Sequence, residues 1–210
     1  MKVRVFAALI ALAGIARADL IALYNFEGEV LTDSANAANV TASDFGYSGN
    51  GTLSFPAGNG STDAYSANNW PTTATIDDYF RFSITPDSGY QFSLTDITFD
   101  SLRSGTGPTA FGVEYSLNGG SSWSLIESFS QGDVTTWRTA DVADANVFGT
   151  PQTGTVDFRI YATTAEASTG TWRVDNVTVN GAITVVPEPT TASFMALAGV
   201  LVAYLRRRIR

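Results

Sequence analysis

Thr171-Trp172-Arg173-Val174-Asp175-Asn176-Val177-Thr178-Val179 alternates apolar and polar residues but changes step once. Trp172 and Val174 share one face, and Val177 and Val179 return to it only if one extra residue is absorbed after Val174. A two-residue period with one polar face marks a half-buried β-strand, and a step change inside it requires a bulge or a bend. The same period recurs in Phe80/Phe82/Ile84, Phe111/Val113/Tyr115 and Val156/Phe158/Ile160. A second step change separates Phe92/Leu94 from Ile97/Phe99. No segment between residues 19 and 185 keeps a helical period for three turns, so these residues are expected to form an all-β, antiparallel sandwich. Ala35 to Ala67, rich in Gly, Asn, Ser and Ala, reads as long loops with short strands. Ser116-Leu117-Asn118-Gly119-Gly120-Ser121-Ser122-Trp123 reads as a hairpin, with Asn-Gly supplying the positive φ angles of a tight turn. It resembles an Asp-box hairpin with Asn118 in the Asp position. One copy without a repeat does not make a propeller.

The two ends of this region belong together. Tyr24-Asn25-Phe26-Glu27-Gly28 opens it, and the stretch quoted above closes it. The pairing resembles the jelly-roll carbohydrate-binding modules, which open on an Asn-x-x-Phe-Glu-like strand and close on Asp-Asp-Val. Here Asn25 directly precedes Phe26, and Asn176 replaces the second Asp. The resemblance implies a jelly-roll fold and a structural calcium that ties the termini together through Glu27 and Asp175, with Asn25 as a carbonyl donor. The alternative is that turn amides or Arg173 satisfy the two acids.

The last 25 residues carry a separate message. Val186-Pro187-Glu188-Pro189 should be extended and accessible, because each proline removes a backbone donor and restricts its predecessor. Thr190 to Leu205 contains no charge, and as a helix would span about 24 Å at ~1.5 Å per residue. That is short of the ~30 Å hydrocarbon core, so local thinning or snorkelling must help a transmembrane helix here. Arg206, Arg207, Arg208 and Arg210 then place the C-terminus in the cytoplasm. A short core helix with a solvated basic end is the alternative. The arrangement resembles the PEP-CTERM sorting tail of Gram-negative bacteria. That resemblance implies recognition of Pro-Glu-Pro by an exosortase-type transpeptidase, and release or attachment at the cell surface, often amid exopolysaccharide. At the other end, Lys2 and Arg4, an apolar run from Val5 to Ile15, and Ala16-Arg17-Ala18 read as a signal peptide over residues 1–18, with a retained membrane anchor as the alternative that the small-x-small cleavage site argues against. Signal peptidase would cut before Asp19 after export through the Sec translocon.

Charge and composition exclude much chemistry. Residues 19–185 hold five arginines against nineteen acids, a net charge of −14. Such a surface repels nucleic acid and anionic lipid. With no His and no Cys, Ser-His-Asp and Cys-His sites and ordinary zinc sites are excluded, and residues 19–185 contain no Lys nucleophile. A carboxylate pair is the remaining route to catalysis. Asp96 and Asp100 would lie on one strand face about 13 Å apart at ~3.3 Å per residue, too far for either glycosidase mechanism. Adjacent Asp77 and Asp78 would face opposite ways. No catalytic residue is therefore expected. Three functions remain: a noncatalytic surface or matrix protein gripping polysaccharide, with Trp70, Trp137 and Tyr161 stacking on sugar rings; a structural surface protein without ligand; and, distantly, a carboxylate glycosidase. An exposed aromatic row favours the first, burial of all four Trp the second, and two facing acids in a cleft the third.

Overall fold

The computed structural model describes residues 19–131, 136–143 and 150–187. The expected signal peptide over residues 1–18, the expected transmembrane helix over 190–205, and Glu188, Pro189, Arg206, Arg207, Arg208 and Arg210 lie outside the described residues. In chain order the strands are β1 (Asp19–Tyr24), five short strands β2 (Ala35–Asn36), β3 (Val40–Ala42), β4 (Gly46–Ser48), β5 (Leu53–Ser54) and β6 (Tyr65–Ala67), and seven long ones. The long strands are β7 (Tyr79–Pro86), β8 (Tyr90–Arg103), β9 (Pro108–Ser116), β10 (Ser124–Ser130), β11 (Arg138–Ala143), β12 (Val156–Ala165) and β13 (Trp172–Val185). Among the described residues there is no helix, and so none long and apolar enough to cross a membrane.

All pairings are antiparallel. One sheet runs β11-β8-β13-β1-β2, with β6 also paired to β13 and β5 to β6; the other runs β10-β9-β12-β7-β3, with β4 also paired to β7. Counting β1 and β7 to β13 as strands one to eight, the sheets read 1-8-3-6 and 2-7-4-5. This is the order of a jelly roll, in which successive long strands cross between the sheets except at the β9–β10 hairpin.

The alternating residues form the core as expected. Phe80, Phe82 and Ile84 on β7 and Val156, Phe158 and Ile160 on β12 are all buried. The two step changes are bulges. On β13, Asp175 pairs with Asp100 and Thr178 with Thr98, so β13 spends three residues where β8 spends two. Asn176 takes up the excess in left-handed conformation, at φ 50°. On β8, Asn180 and Gly181 of β13 face Asp96 and Leu94, and Thr95 is the extra residue. Each bulge returns the following apolar residues to the inner face, so one side of the ladder between the two 14-residue strands stays buried as far as Gly181 on β13.

Aromatic rings fill the space between the sheets. Trp172 stacks on Phe80 at 5.8 Å and 18°, and meets Trp70 edge-on at 5.4 Å. Phe82 stacks on Phe158 at 5.0 Å. The terminal strands are neighbours, with Tyr24 of β1 opposite Val177 of β13. After β13, the Val186 amide donates to the Gly89 carbonyl at 2.9 Å, and Pro187 is exposed.

Candidate functional site

Because the even-numbered residues of β7 face the core, Tyr79, Arg81 and Ser83 face outward. Register places them directly opposite Tyr161, Arg159 and Asp157 of β12. Beyond these, Gly112 and Glu114 of β9 face Tyr161 and Arg159. Gly112 is required here, because a Cβ at that position would collide with the Tyr161 phenol and with the Glu127 carbonyl. The Tyr161 ring therefore lies down across the β9 backbone instead of standing off the sheet. Burial, and after it the Glu114 carboxylate, raises the Tyr161 phenol above its usual range, so it is a neutral hydroxyl at physiological pH.

Arg159 holds this surface together. Its Nε and Nη2 both donate to Glu114 Oε2, at 2.6 and 2.5 Å. Its guanidinium lies 4.4 Å from the Trp123 ring centroid and 5.3 Å from that of Tyr79, within range of cation–π attraction. Trp123 is carried by the loop between β9 and β10, in which Asn118 does not take the positive φ expected of the Asn-Gly pair. The positive φ angles fall on Gly119 and Gly120, at 68° and 80°. Asn118 braces the loop: its Oδ1 accepts from the Ser122 amide at 2.9 Å, and its Nδ2 donates to Ser122 Oγ at 2.8 Å. Ser116 Oγ accepts from the Gly120 amide at 2.9 Å. This bracing folds the loop so that Trp123 reaches Tyr79, with ring centroids 6.2 Å apart.

The result is a groove of about 500 Å³ on the outer face of the six-stranded sheet. Tyr79, Arg81, Ser83 and Asp157 form its floor, with Ser43 and Asp44 on one side and Gly119, Gly120 and Trp123 on the other. The volume falls in the roughly 300–1,000 Å³ range of small-ligand sites. Half-buried aromatic rings beside charged donors and acceptors suit a ligand with apolar C–H faces and polar edges.

The expected stacking residues are divided by the fold. Trp70 is buried at 1 % exposure, its indole N–H donating to the Ala67 carbonyl at 2.8 Å, so it is a core residue and is unable to stack on a ligand. Trp137 is half-buried on the opposite sheet, 6.0 Å from the Arg173 guanidinium. It therefore forms no row with Tyr161, the one candidate that lies beside the groove. Tyr79 and Trp123 were missed. The available signal was that Tyr79 is an aromatic out of phase with the core alternation of its own strand. For Trp123 it was the position directly after a braced hairpin loop.

The acids expected to work as pairs have structural partners instead. Asp77 accepts from Thr75 Oγ1 at 2.9 Å, and buried Asp78 from the Asn50 amide at 3.0 Å. Asp96 accepts from Asn180 Nδ2 at 2.7 Å. Asp100 accepts from Thr139 Oγ1 at 2.6 Å, and from Asn59 Nδ2 and Asn176 Nδ2 at 3.0 Å each.

Glu27 and Asp175 do approach one element, the loop from Gly58 to Asp63. The bulge turns the Asp175 carboxylate out of the core but under this loop, and its exposure is 0 %. Its Oδ2 accepts from the Asn59 amide at 2.8 Å and Ser61 Oγ at 2.5 Å, and its Oδ1 from the Asn176 amide at 2.8 Å. Glu27 Oε1 accepts from the Thr62 amide at 2.9 Å, and Oε2 from Thr62 Oγ1. Asp63 answers by accepting from the Gly28 amide at 2.9 Å. Asn25 uses its side chain locally, on the Glu27 amide and Ser34. As arranged, these residues do not fit a calcium shell. Calcium takes six to eight oxygens, whereas here every carboxylate oxygen of the pair already accepts from an N–H or O–H group. Among the described residues no three acidic groups converge on one point.

Comparison with known proteins places these features in context. The family model of Reelin subrepeat B matches residues 91–180. No curated protein matches the chain at a significant level. Among solved structures, the chain is similar to a family 29 carbohydrate-binding module complexed with mannohexaose, at 17% identity and TM-score 0.43, over 78% of this chain and 92% of that one. A variant of a family 29 module gives 18% identity and TM-score 0.44, over 78% and 92%. A family 27 module described for specific mannan recognition gives 13% identity and TM-score 0.42, over 79% and 99%. The jelly-roll assignment stands on the strand order and register given above.

Proposed function

We propose that the chain is an exported surface or matrix-associated protein whose noncatalytic sandwich binds polysaccharide in the groove beside Trp123. One observation carries this reading: Tyr79, Trp123 and Tyr161 lie on a single outer face, next to Arg81, Asp44 and Asp157. Ring faces can stack on sugar rings while the charged groups address hydroxyls at their edges. Trp123→Ala removes one wall and exposes Arg159, but leaves the core untouched. Affinity electrophoresis of the purified protein against a panel of soluble polysaccharides should show at least one retarding polymer. Trp123→Ala should weaken that interaction about tenfold or more, as expected of an aromatic anchor, with little change in melting temperature. Retardation unaltered by both Trp123→Ala and Tyr79→Ala would remove the groove from consideration. No retardation by any polymer would favour a structural role without ligand.

The sorting reading is supported by the order of proline pair, uncharged run and arginines, and by the exposed exit of the chain at Pro187. In this reading exosortase acts at Val186–Pro189 after export. Replacing Glu188 and Pro189 together by Ala should leave the full-length form in the inner membrane. Mass spectrometry of surface-released protein reads the outcome, and an unchanged C-terminus in the double variant would refute the sorting role.

A further inference from the structure

Acids outnumber arginines nineteen to five between residues 19 and 185, so an arginine there has many chances of a partner. Arg103 pairs with Glu166 and Arg159 with Glu114, and Arg173 lies near Trp137 and donates to the Ala57 carbonyl. Arg81 and Arg138 have neither an ion pair nor a side-chain hydrogen bond among the described residues; Arg138 sits on β11 of the other sheet, whereas Arg81 is exposed on the groove floor. Register sets it directly opposite Arg159, a like-charge pairing that costs stability across neighbouring strands. Glu114 neutralises Arg159, and nothing equivalent neutralises Arg81. Asp44 and Asp157 line the same groove without closing on it. On its other side Arg81 faces Gly46 of β4, where even an added Cβ would come within 3.6 Å of its Nε, so a larger residue there would crowd it.

We infer that Arg81 is the specificity-determining residue of the groove, presenting an unspent guanidinium fork to adjacent hydroxyl oxygens of a neutral sugar while Asp44 and Asp157 accept from neighbouring hydroxyls. This deepens, and rests on, the polysaccharide-binding reading. A guanidinium by itself would suit a carboxylate equally well. A uronate or sulfate seated at Arg81, however, would approach two carboxylates in a region carrying −14, and that field opposes polyanions before contact. Sugar hydroxyls both donate and accept, so a neutral ring uses all three charged groups without that opposition.

The test uses the full secreted protein in affinity electrophoresis with hydroxyethylcellulose, dextran and a soluble mannan as neutral probes, and polygalacturonate as the anionic one. Wild type should be retarded by at least one neutral polymer and not by polygalacturonate, with little dependence on salt. Arg81→Gln and Arg81→Lys should each weaken retardation about tenfold with no loss in melting temperature, since lysine keeps the charge but loses the planar fork and glutamine relieves the like-charge pairing with Arg159. Salt-sensitive binding to polygalacturonate that Arg81→Gln abolishes would overturn the neutral assignment and leave the groove reading intact. Loss of binding in Trp123→Ala with wild-type binding in both Arg81 variants would overturn the role of Arg81 alone. No binding to any of the four polymers would overturn both.

Discussion

Trp172→Ala is expected to destabilise the protein by about 4 kcal/mol, the largest single effect predicted here. Trp172 has 0 % exposure and joins the two sheets. Its ring contacts Trp70, Phe80, Phe111 and Phe99, at centroid distances of 5.4, 5.8, 5.5 and 6.5 Å. Truncation removes transfer energy and leaves a cavity that β-strands pinned on both sides cannot close. Against a total stability of roughly 5–15 kcal/mol, the variant should melt far below wild type or fail to accumulate folded. Trp172→Phe keeps most of the stack and removes an indole N–H that has no partner among the described residues, so it should cost less. Denaturant unfolding followed by tryptophan fluorescence measures both. A loss under 1 kcal/mol in the Ala variant would mean that the two sheets do not meet at this ring.

Asp175→Ala should cost about 3 kcal/mol, because it strands two backbone amides and the Ser61 hydroxyl beneath the Gly58–Asp63 loop. Hydrogen bonds to a charged group contribute about 1.5–3 kcal/mol each, and water reaching a surface loop recovers part of the loss. Melting curves in calcium and in chelator should coincide, since Glu27 and Asp175 each bond the Gly58–Asp63 loop and among the described residues no group of three acids converges on one point. A gap of several degrees, abolished by Asp175→Asn, would restore the calcium site. The pH response separates this acid from ordinary ones. Burial raises its pKa above the ordinary 3.8, and Asp100, its Cα partner, adds to the shift against three opposing hydrogen bonds. A raised folded-state pKa means the fold favours the protonated form. Its contribution to stability is thus fully present below the ordinary value and is lost as pH rises through the raised one. The stability difference between wild type and Asp175→Asn should therefore shrink from acid towards neutral pH.

The strands were readable because burial on one side imposes a two-residue period. Both irregularities were readable because keeping Val177 and Ile97 on the face of Trp172 and Phe92 takes a bulge or a bend, and the structure uses a bulge at each. The adjacency of the terminal strands followed from a pairing of motifs at the ends of the region. The site was less legible, for a physical reason. Whether a tryptophan is core or surface depends on the partner of its strand, and Trp70 follows a three-residue strand too short to show any period. Tyr161 depends on Gly112, forty-nine residues earlier and on another strand, for the room to lie flat. The Gly58–Asp63 loop gave no sequence sign that it would occupy the carboxylates of Glu27 and Asp175, because its contacts are made by backbone amides and short hydroxyl side chains.

The position of β13 has a mechanical consequence. It is the strand that leads out to Pro187, and it is bonded along its length to β8 on one side and to β1 and β6 on the other. Tension applied beyond Pro187 would therefore load those ladders in shear, straining many hydrogen bonds together, whereas an edge strand would peel away one bond at a time. A load-bearing tether at this end would draw on the most heavily bonded strand among the described residues.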